Sequence, residues 1–407
     1  MPHLRKRHIE EPFDQMLRFA RILGVIGHRQ TGKSTFVQAH SSEYLTLDSR
    51  QNLESAKKDP EAFIDQLKGK KSAIDECQLA PGLFPALKVK IGTSAVPGRY
   101  ILSGSVRFSS RNAIRESLTG RLVNQEMLPL VCTELAEEPN ANLFLKLLNS
   151  PSLRGVTQMT SQEQSLHRQR LKIIEQYARS GGLPGVCFVR SEQTRKNLLR
   201  DILETILDRD VRLIYPTTLP LEQIRKLCEQ LARQPLEPIN YQELKRETGL
   251  STVTTQKLLN ALESVFLIRR INLLGDRRGE FFWFEDQLER HAFAKDDQIT
   301  EADWISLLFR NIRAQYVYRV GEFADAYHFR TRGGARVPLV LRSKNKHVGF
   351  FVVDQAADIT RGMIRSAESF LSKFEGARVV FALKNQNETK LLTETMAMLP
   401  LTALLFE

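Results

Sequence analysis

A chain of 407 residues, 42% hydrophobic and 26% charged, is long enough for two to four domains with cores of their own, and its composition excludes a disordered or fibrous protein. Its four cysteines, Cys77, Cys132, Cys187 and Cys228, form no C-x-x-C pair and no metal-ligand spacing with the eight histidines, which argues against a disulfide framework or a zinc site. A formal net charge of +12 points to an anionic partner without naming one.

At the N-terminus Arg5, Lys6 and Arg7 are followed by Glu10, Glu11 and Asp14, where a signal peptide would be apolar. The longest apolar stretch near a terminus, Met396 to Phe406, is too short to cross a bilayer. A cytoplasmic protein with no membrane span is expected. The apolar run Ile22-Leu23-Gly24-Val25-Ile26 then predicts a strand. It leads into Gly27-His28-Arg29-Gln30-Thr31-Gly32-Lys33-Ser34, followed by Thr35, Phe36 and Val37, a G-x-x-x-x-G-K-[ST] phosphate-binding loop set between a strand and a helix start. Its glycines let the backbone fold tightly enough for successive N–H groups to face phosphate oxygens, and the next helix adds the positive end of its dipole. Gly27 to Thr35 is therefore the expected nucleotide site, with Lys33 reaching the β and γ phosphates and Ser34 holding Mg²⁺.

Tyr44 to Leu47 predicts a second strand ending at Asp48, Glu54 to Lys68 a helix, and Lys70 to Ile74 a strand running into Asp75 and Glu76. Leu83 to Ile91 reads as a helix, Tyr100 to Leu102 as a strand ending in Ser103-Gly104-Ser105, Asn112 to Leu118 as a helix and Val123 to Leu128 as a strand. Strands alternating with helices imply an α/β fold with a parallel sheet and ligands at the carboxyl ends of its strands, where these polar signals fall. Asp75-Glu76, 41 residues after Ser34, is what a phosphoryl-transfer site needs: Asp75 to hold Mg²⁺ through its water shell, Glu76 to orient and deprotonate the attacking water. A small-molecule kinase would need an acceptor pocket, for which the sequence carries no signature. Ser103 and Ser105 read either as contacts to the γ-phosphate or lytic water, or as an ordinary turn. Arg121 reads either as an arginine finger offered to a neighbouring subunit of a homo-oligomer, or as a surface arginine neutralising a helix C-terminus.

Glu134 to Asn149 is helical, and the polar tract Ser152 to Gln164 is the expected mobile loop. A long helical region follows, broken at Gly181-Gly182-Leu183-Pro184-Gly185 and resuming from Gln193 to Leu213. Pro216, Pro220, Pro235 and Pro238 place a boundary near Tyr215. Tyr241 to Glu247, a turn at Thr248-Gly249-Leu250, a helix Ser251 to Ser264 capped by Ser251 and an exit strand Phe266 to Leu273 have the pattern of a winged helix-turn-helix, used for DNA or equally for packing and protein contacts. From Arg277 the chain turns β-rich, with strands at Glu280 to Phe284, Ala326 to Arg330, Val337 to Leu341, Gly349 to Val353 and Arg378 to Ala382, and a helix from Ile359 to Phe374. Between Arg310 and Lys346 nine Lys/Arg face only Glu322 and Asp325, which reads as a solvated basic face or as a nucleic-acid contact surface.

Together Gly27 to Ser34, Asp75-Glu76-Cys77-Gln78, Ile101-Leu102-Ser103-Gly104-Ser105, Leu118-Thr119-Gly120-Arg121 and Leu128-Pro129-Leu130 resemble the prokaryotic AAA+ ATPases whose loop reads G-P-R-Q-x-G-K-T and whose carboxylate motif reads D-E-I-Q. Gly181-Gly182-Leu183-Pro184, Arg209-Asp210 and the winged helix resemble the domain of unknown function that commonly follows. The resemblance implies an AAA+ sheet in which the Ser103 strand lies between those of Lys33 and Asp75, a helical lid, ATP and Mg²⁺ as ligands, and Arg121 as a candidate finger. His28 for Pro and Cys77 for Ile are departures. The last domain of such proteins looks like a PD-(D/E)XK nuclease, but here Pro338 stands in place of the aspartate and Phe351-Val352-Val353 in place of Glu and Lys. The expected organisation is an AAA+-like domain over 1–135, a helical lid over 136–214, a winged helix over 215–276 and a nuclease-like domain without nuclease chemistry over 277–407. The expected activity is ATP hydrolysis coupled to the C-terminal domains, or a nucleotide-gated switch with little turnover. DNA, bound through the basic tract, and a protein client are the candidate partners.

Overall fold

The structure, a computed structural model, describes residues 4–93, 96–108, 121–160, 163–275, 279–321 and 325–407. The helix expected from Asn112 to Leu118 lies outside the described residues.

Five short strands, β1 (Ile22–Ile26), β2 (Glu43–Thr46), β3 (Ser72–Asp75), β4 (Tyr100–Gly104) and β5 (Leu122–Glu126), pair in parallel in the order β2-β3-β4-β1-β5. The strand of Ser103 thus lies between the strand that feeds the loop and the strand that ends at Asp75. Along β1 every residue is buried, because alternate side chains enter opposite cores: Ile22 and Ile26 pack with Ile74, Phe63 and Phe84, whereas Leu23 and Val25 pack with Phe13, Phe36 and Val37. The helix expected from Glu54 to Lys68 is two, Arg50–Lys58 and Pro60–Asp65. Pro60 lacks the N–H that would continue the first, and Asp59 caps the second by accepting from the Ala62 N–H at 2.9 Å.

The second sheet has eight strands. β6 (Ile268–Gly275) and β7 (Glu280–Phe284) form an antiparallel hairpin after the helices Leu221–Arg233, Tyr241–Thr248 and Thr252–Ser264. β6 also pairs in parallel with β8 (Asp325–Arg330), and β9 (Arg336–Ser343), β10 (Lys346–Val353), β11 (Arg378–Leu383), β13 (Met396–Pro400) and β12 (Lys390–Thr393) continue the sheet in that spatial order. The division expected between residues 276 and 277 therefore separates β6 from β7, two paired strands of one sheet.

The segment expected as one lid is shared between two cores. Leu143–Asn149, Leu153–Met159 and Gln164–Ser180 share a core with the C-terminal helix Leu401–Phe406, whereas Leu199, Leu203 and Val211 join Leu227, Leu258 and Phe282. Ser152 to Gln164 is not one long loop: the helix Leu153–Met159 buries Leu153 and Val156, apolar anchors a composition-based reading passes over. The helix Glu301–Val320 joins the two sheets, with Ile305, Phe309 and Ile312 against the C-terminal core and Ala314 and Tyr318 against the face of β1.

At least five of the nine cations in the basic tract from Arg310 to Lys346 are engaged within the fold. Arg310 is buried and donates to Ser306 Oγ at 2.7 Å and Gln287 Oε1 at 3.1 Å, and Arg313 is buried against Glu126 and Glu285. Arg330 pairs with Glu237 at 2.6 Å, Arg336 with Glu301 at 3.2 Å and Arg342 with Asp325 at 2.6 Å. Most of these acids lie outside the tract, so its charge count along the sequence could not register them.

Candidate nucleotide site at the carboxyl ends of β1 and β3

β1 ends at Ile26 and the chain turns into the helix Lys33–Ala39. A Cβ on Gly27 would collide with the Met127 carbonyl, and Gly32 lies in the left-handed region at φ 91°, so both positions require glycine. Lys33 is buried and its ammonium donates to the His28 carbonyl at 2.8 Å, which also accepts from the Thr31 hydroxyl at 3.0 Å. Burial holds the Lys33 ammonium below its ordinary value, against the opposing charges of Glu76 and Asp75. Ser34 and Thr35 are exposed on the first turn of the helix.

Asp75 closes β3. Its Oδ2 accepts from the Tyr44 hydroxyl at 2.7 Å, and its Oδ1 accepts from Ser103 Oγ at 2.5 Å and from the Glu76 N–H at 3.0 Å. Glu76 stands in the left-handed region at φ 54°, a conformation a non-glycine residue keeps only where its surroundings impose it. Its Oε2 accepts from Gln78 Nε2 and, at 3.4 Å, from Ser105 Oγ, while Gln78 Nε2 also donates to Ser105 Oγ at 3.2 Å. Burial, then the Asp75 charge, pushes the Glu76 carboxyl up, and Lys33 and Arg29 oppose the shift. Ser103 thus orders Asp75, and Ser105 orders Glu76 together with Gln78. Gly104 between them leaves room for the Gln78 amide, which a Cβ would strike.

The variable positions of the loop are held from elsewhere in the chain. Arg29 pairs with Asp210 through Nε at 3.0 Å and Nη2 at 3.3 Å, and Arg209 meets the same carboxylate at 3.0 Å. His28 Nε2 lies 2.8 Å from Glu289 Oε1, both side chains being buried; burial disfavours the imidazolium, but the Glu289 charge outweighs it and the net shift is upward. A Cβ on Gly185 would press on the Gln30 amide, and Arg7 donates to the Thr31 carbonyl at 2.7 Å and the Leu128 carbonyl at 2.5 Å.

Lys33, Ser34, Asp75, Glu76 and Ser105 are therefore brought together, and Arg121 is not. It precedes Leu122, which pairs with Ile22, so it lies at the opposite end of the sheet from the loop of its own chain. Sequence reasoning gave no role to Tyr44, Gln78, Arg7, Asp210 and Glu289. Gln78 had a local signal in its spacing from Glu76, and Asp210 one in the Arg209-Asp210 pair, whereas Arg7 and Glu289 had none.

Residues 171–279 match a family described as a domain of unknown function (DUF8612). Over 98% of its length the chain is 21% identical to two curated relatives, the uncharacterized proteins Mb2031c of Mycobacterium bovis and Rv2008c of Mycobacterium tuberculosis, covering 84% of each. Protein VC1899 from Vibrio cholerae covers 94% of this chain, and 95% of its own length is covered, at 10% identity and a TM-score of 0.21. Residues 20–136 match the family described as an AAA domain, so the segment that contributes Lys33, Ser34, Asp75 and Glu76 is similar to AAA-like P-loop domains.

Proposed function

We propose that the protein binds ATP with Mg²⁺ at the loop and hydrolyses it, and that turnover is coupled to the C-terminal region. The observation that carries this reading is the convergence of Lys33, Asp75 and Glu76 at the carboxyl ends of β1 and β3, which flank β4, with Ser34 exposed at the helix start. The donor set suits the ligand: a serine hydroxyl and a carboxylate are hard oxygen groups of the kind Mg²⁺ takes, and a lysine sits within a glycine-bearing turn. When bound, Mg²⁺ would neutralise charge on the phosphates and orient them. Lys33 binds phosphate by exchanging its bond to the His28 carbonyl for the β and γ oxygens. Asp75, oriented by Tyr44 and Ser103, is the carboxylate that would hold the metal. Glu76 accepts the proton of the attacking water once Gln78 and Ser105 release its Oε2. Arg29, His28 and Gln30 carry any movement of the loop to Asp210, Glu289 and Gly185.

Two variants test the assignment. Lys33→Ala should lose tight Mg-ATP binding, read by fluorescence of a labelled nucleotide, whereas Glu76→Gln should keep binding and lose hydrolysis. Equal hydrolysis in wild type and Glu76→Gln would remove Glu76 as the base. One observation favours a slower, switch-like protein: the Glu76 oxygen that would take the proton is already engaged by Gln78. Single-turnover rates far below those of release would support that reading.

The three helices before β6 serve best as a winged helix packed by its hairpin into the second sheet. That sheet acts as a binding scaffold, supported by Pro338 in β9 and Phe351 to Val353 in β10, where the nuclease pattern would have its acids and lysine. Incubation with DNA and Mg²⁺ or Mn²⁺ should give no cleavage; metal-dependent cutting lost in Asp325→Ala or Asp354→Ala would overturn this.

A further inference from the structure

Two cavities of about 620 Å³ and 490 Å³ adjoin between the helices Gln164–Ser180 and Glu192–Thr205, and Arg179 and Arg195 line both. Leu199, Leu203, Leu288 and Phe293 supply the apolar wall of the larger one. Several cations around it are already neutralised: Lys196 pairs with Glu192 and Asp297, Arg225 with Glu204 and Lys295 with Glu229. Those around the smaller cavity outnumber the one acid in its lining, the exposed Glu175: Lys172, Arg179 and Arg190 are exposed and have no carboxylate within ion-pair distance among the described residues, and Arg195 donates to the Val189 carbonyl at 3.1 Å. Four cations beside an apolar wall call for an occupant that is anionic on one side and aliphatic on the other. Single-stranded nucleic acid would need rings on which bases could stack. The two here are engaged: Phe293 stacks on Phe284 at 5.4 Å, and Phe188 carries the Arg5 guanidinium 5.3 Å from its ring centre.

We propose that this groove binds an acidic, leucine-bearing segment of a partner protein. Two of its walls adjoin residues that touch the loop. Gln164–Ser180 runs into Gly181 to Gly185, which meets Gln30, and Leu288 adjoins Glu289, the partner of His28. An occupant would therefore press on the segments that hold the nucleotide site. The binding itself does not depend on the ATPase reading.

The test uses the full chain, free of nucleotide, and a fluorescein-labelled peptide of glutamate and leucine at helical spacing, followed by anisotropy. Saturable binding is expected, weakened about tenfold or more by Arg179→Glu with Arg190→Glu, and again by Lys172→Glu alone to a smaller extent. All three side chains are exposed, so circular dichroism should be unchanged. A peptide with glutamine for leucine should bind far more weakly. Binding indifferent to the charge reversals, equal binding of the leucine-free peptide, or tighter binding of a labelled oligothymidylate through the same arginines would each overturn the proposal. Because no nucleotide enters the assay, failure here leaves the ATPase reading standing, and a chain without turnover that still holds the peptide leaves the groove standing.

Discussion

Glu76 is a carboxylate whose surroundings raise its proton affinity while a neighbouring amide holds its oxygen. A base must be ionised to act, so turnover should rise with pH through a midpoint above the ordinary carboxylate range of about 4.3. The Gln78 amide donates to the ionised form and so restrains that shift. Gln78→Ala should move the acid limb of the kcat profile to still higher pH, and a limb that stays in place would deny Gln78 this role. His28 and Glu289 make a second residue-scale case. Removing one member of a buried pair leaves the other without compensation, so His28→Ala should cost about 3 kcal/mol in urea denaturation. A cost below about 1 kcal/mol would mean that the pair carries no charge in the folded state.

At the scale of elements, the turn from Gly181 to Gly185 acts as a bracket between the two halves of the chain. Gly182 accepts from the Leu130 N–H at 2.7 Å through its carbonyl, and its own N–H donates to Asp286 Oδ2 at 2.7 Å. Gly181 sits at φ 65°, where a Cβ would collide with the same carboxylate. Gly181→Ala should therefore destabilise the protein by more than the roughly 1 kcal/mol of a simple glycine effect, read from the denaturation midpoint. The five residues from Ile206 to Asp210 form a π-helical turn that presents Asp210 to Arg29. Asp210→Asn would keep the fold and loosen the loop, so Mg-ATP affinity should fall while the denaturation midpoint changes little; unchanged affinity would separate that turn from the site.

For the whole molecule, a buried cluster joins the two sheets: Arg313 pairs with Glu126 at the end of β5 and with Glu285 after β7, and Arg269 reaches both acids at 2.9 and 3.3 Å. Burial alone would raise the two carboxyls, but the arginines hold both below the usual range. A depressed carboxylate contributes stability above its unfolded value and loses it as pH falls through the folded one. Acid should therefore weaken the protein from about pH 4 downward. Glu285→Gln should flatten that dependence in denaturation curves taken along a pH series. A chain truncated at residue 276 would lose β7, β8 and the helix Glu301–Val320, and should be recovered unfolded; a folded fragment would restore the domain boundary expected there. Arg121 belongs to this scale as well, since it faces away from the loop of its own chain. If it serves a neighbouring subunit, mixing Arg121→Ala with Lys33→Ala should recover part of the turnover that each lacks, and undiminished turnover of a monomeric Arg121→Ala protein would dismiss the finger.

Local patterning was enough to recognise β1 to β4, the loop, the paired carboxylates and the glycine-rich bracket, because each rests on a few adjacent residues whose periodicity or backbone freedom is written in order. The strand order followed from resemblance rather than from pattern. The helix Glu301–Val320 had no such signal: it is buried on nearly all sides, so no apolar stripe sets one face apart. The charge of the basic tract was less legible, since a sum over neighbours in sequence omits Glu237, Glu301, Glu126 and Glu285, which pair with Arg330, Arg336 and Arg313 in space. The sequence by itself thus determined the chemical groups of the candidate site and the strands that carry them. Only the tertiary structure decided what holds those groups: Glu289 meets His28, Asp210 meets Arg29, and Arg7 meets Thr31, because a buried charge or polar group must find its partner wherever the fold brings one, whatever the distance along the chain.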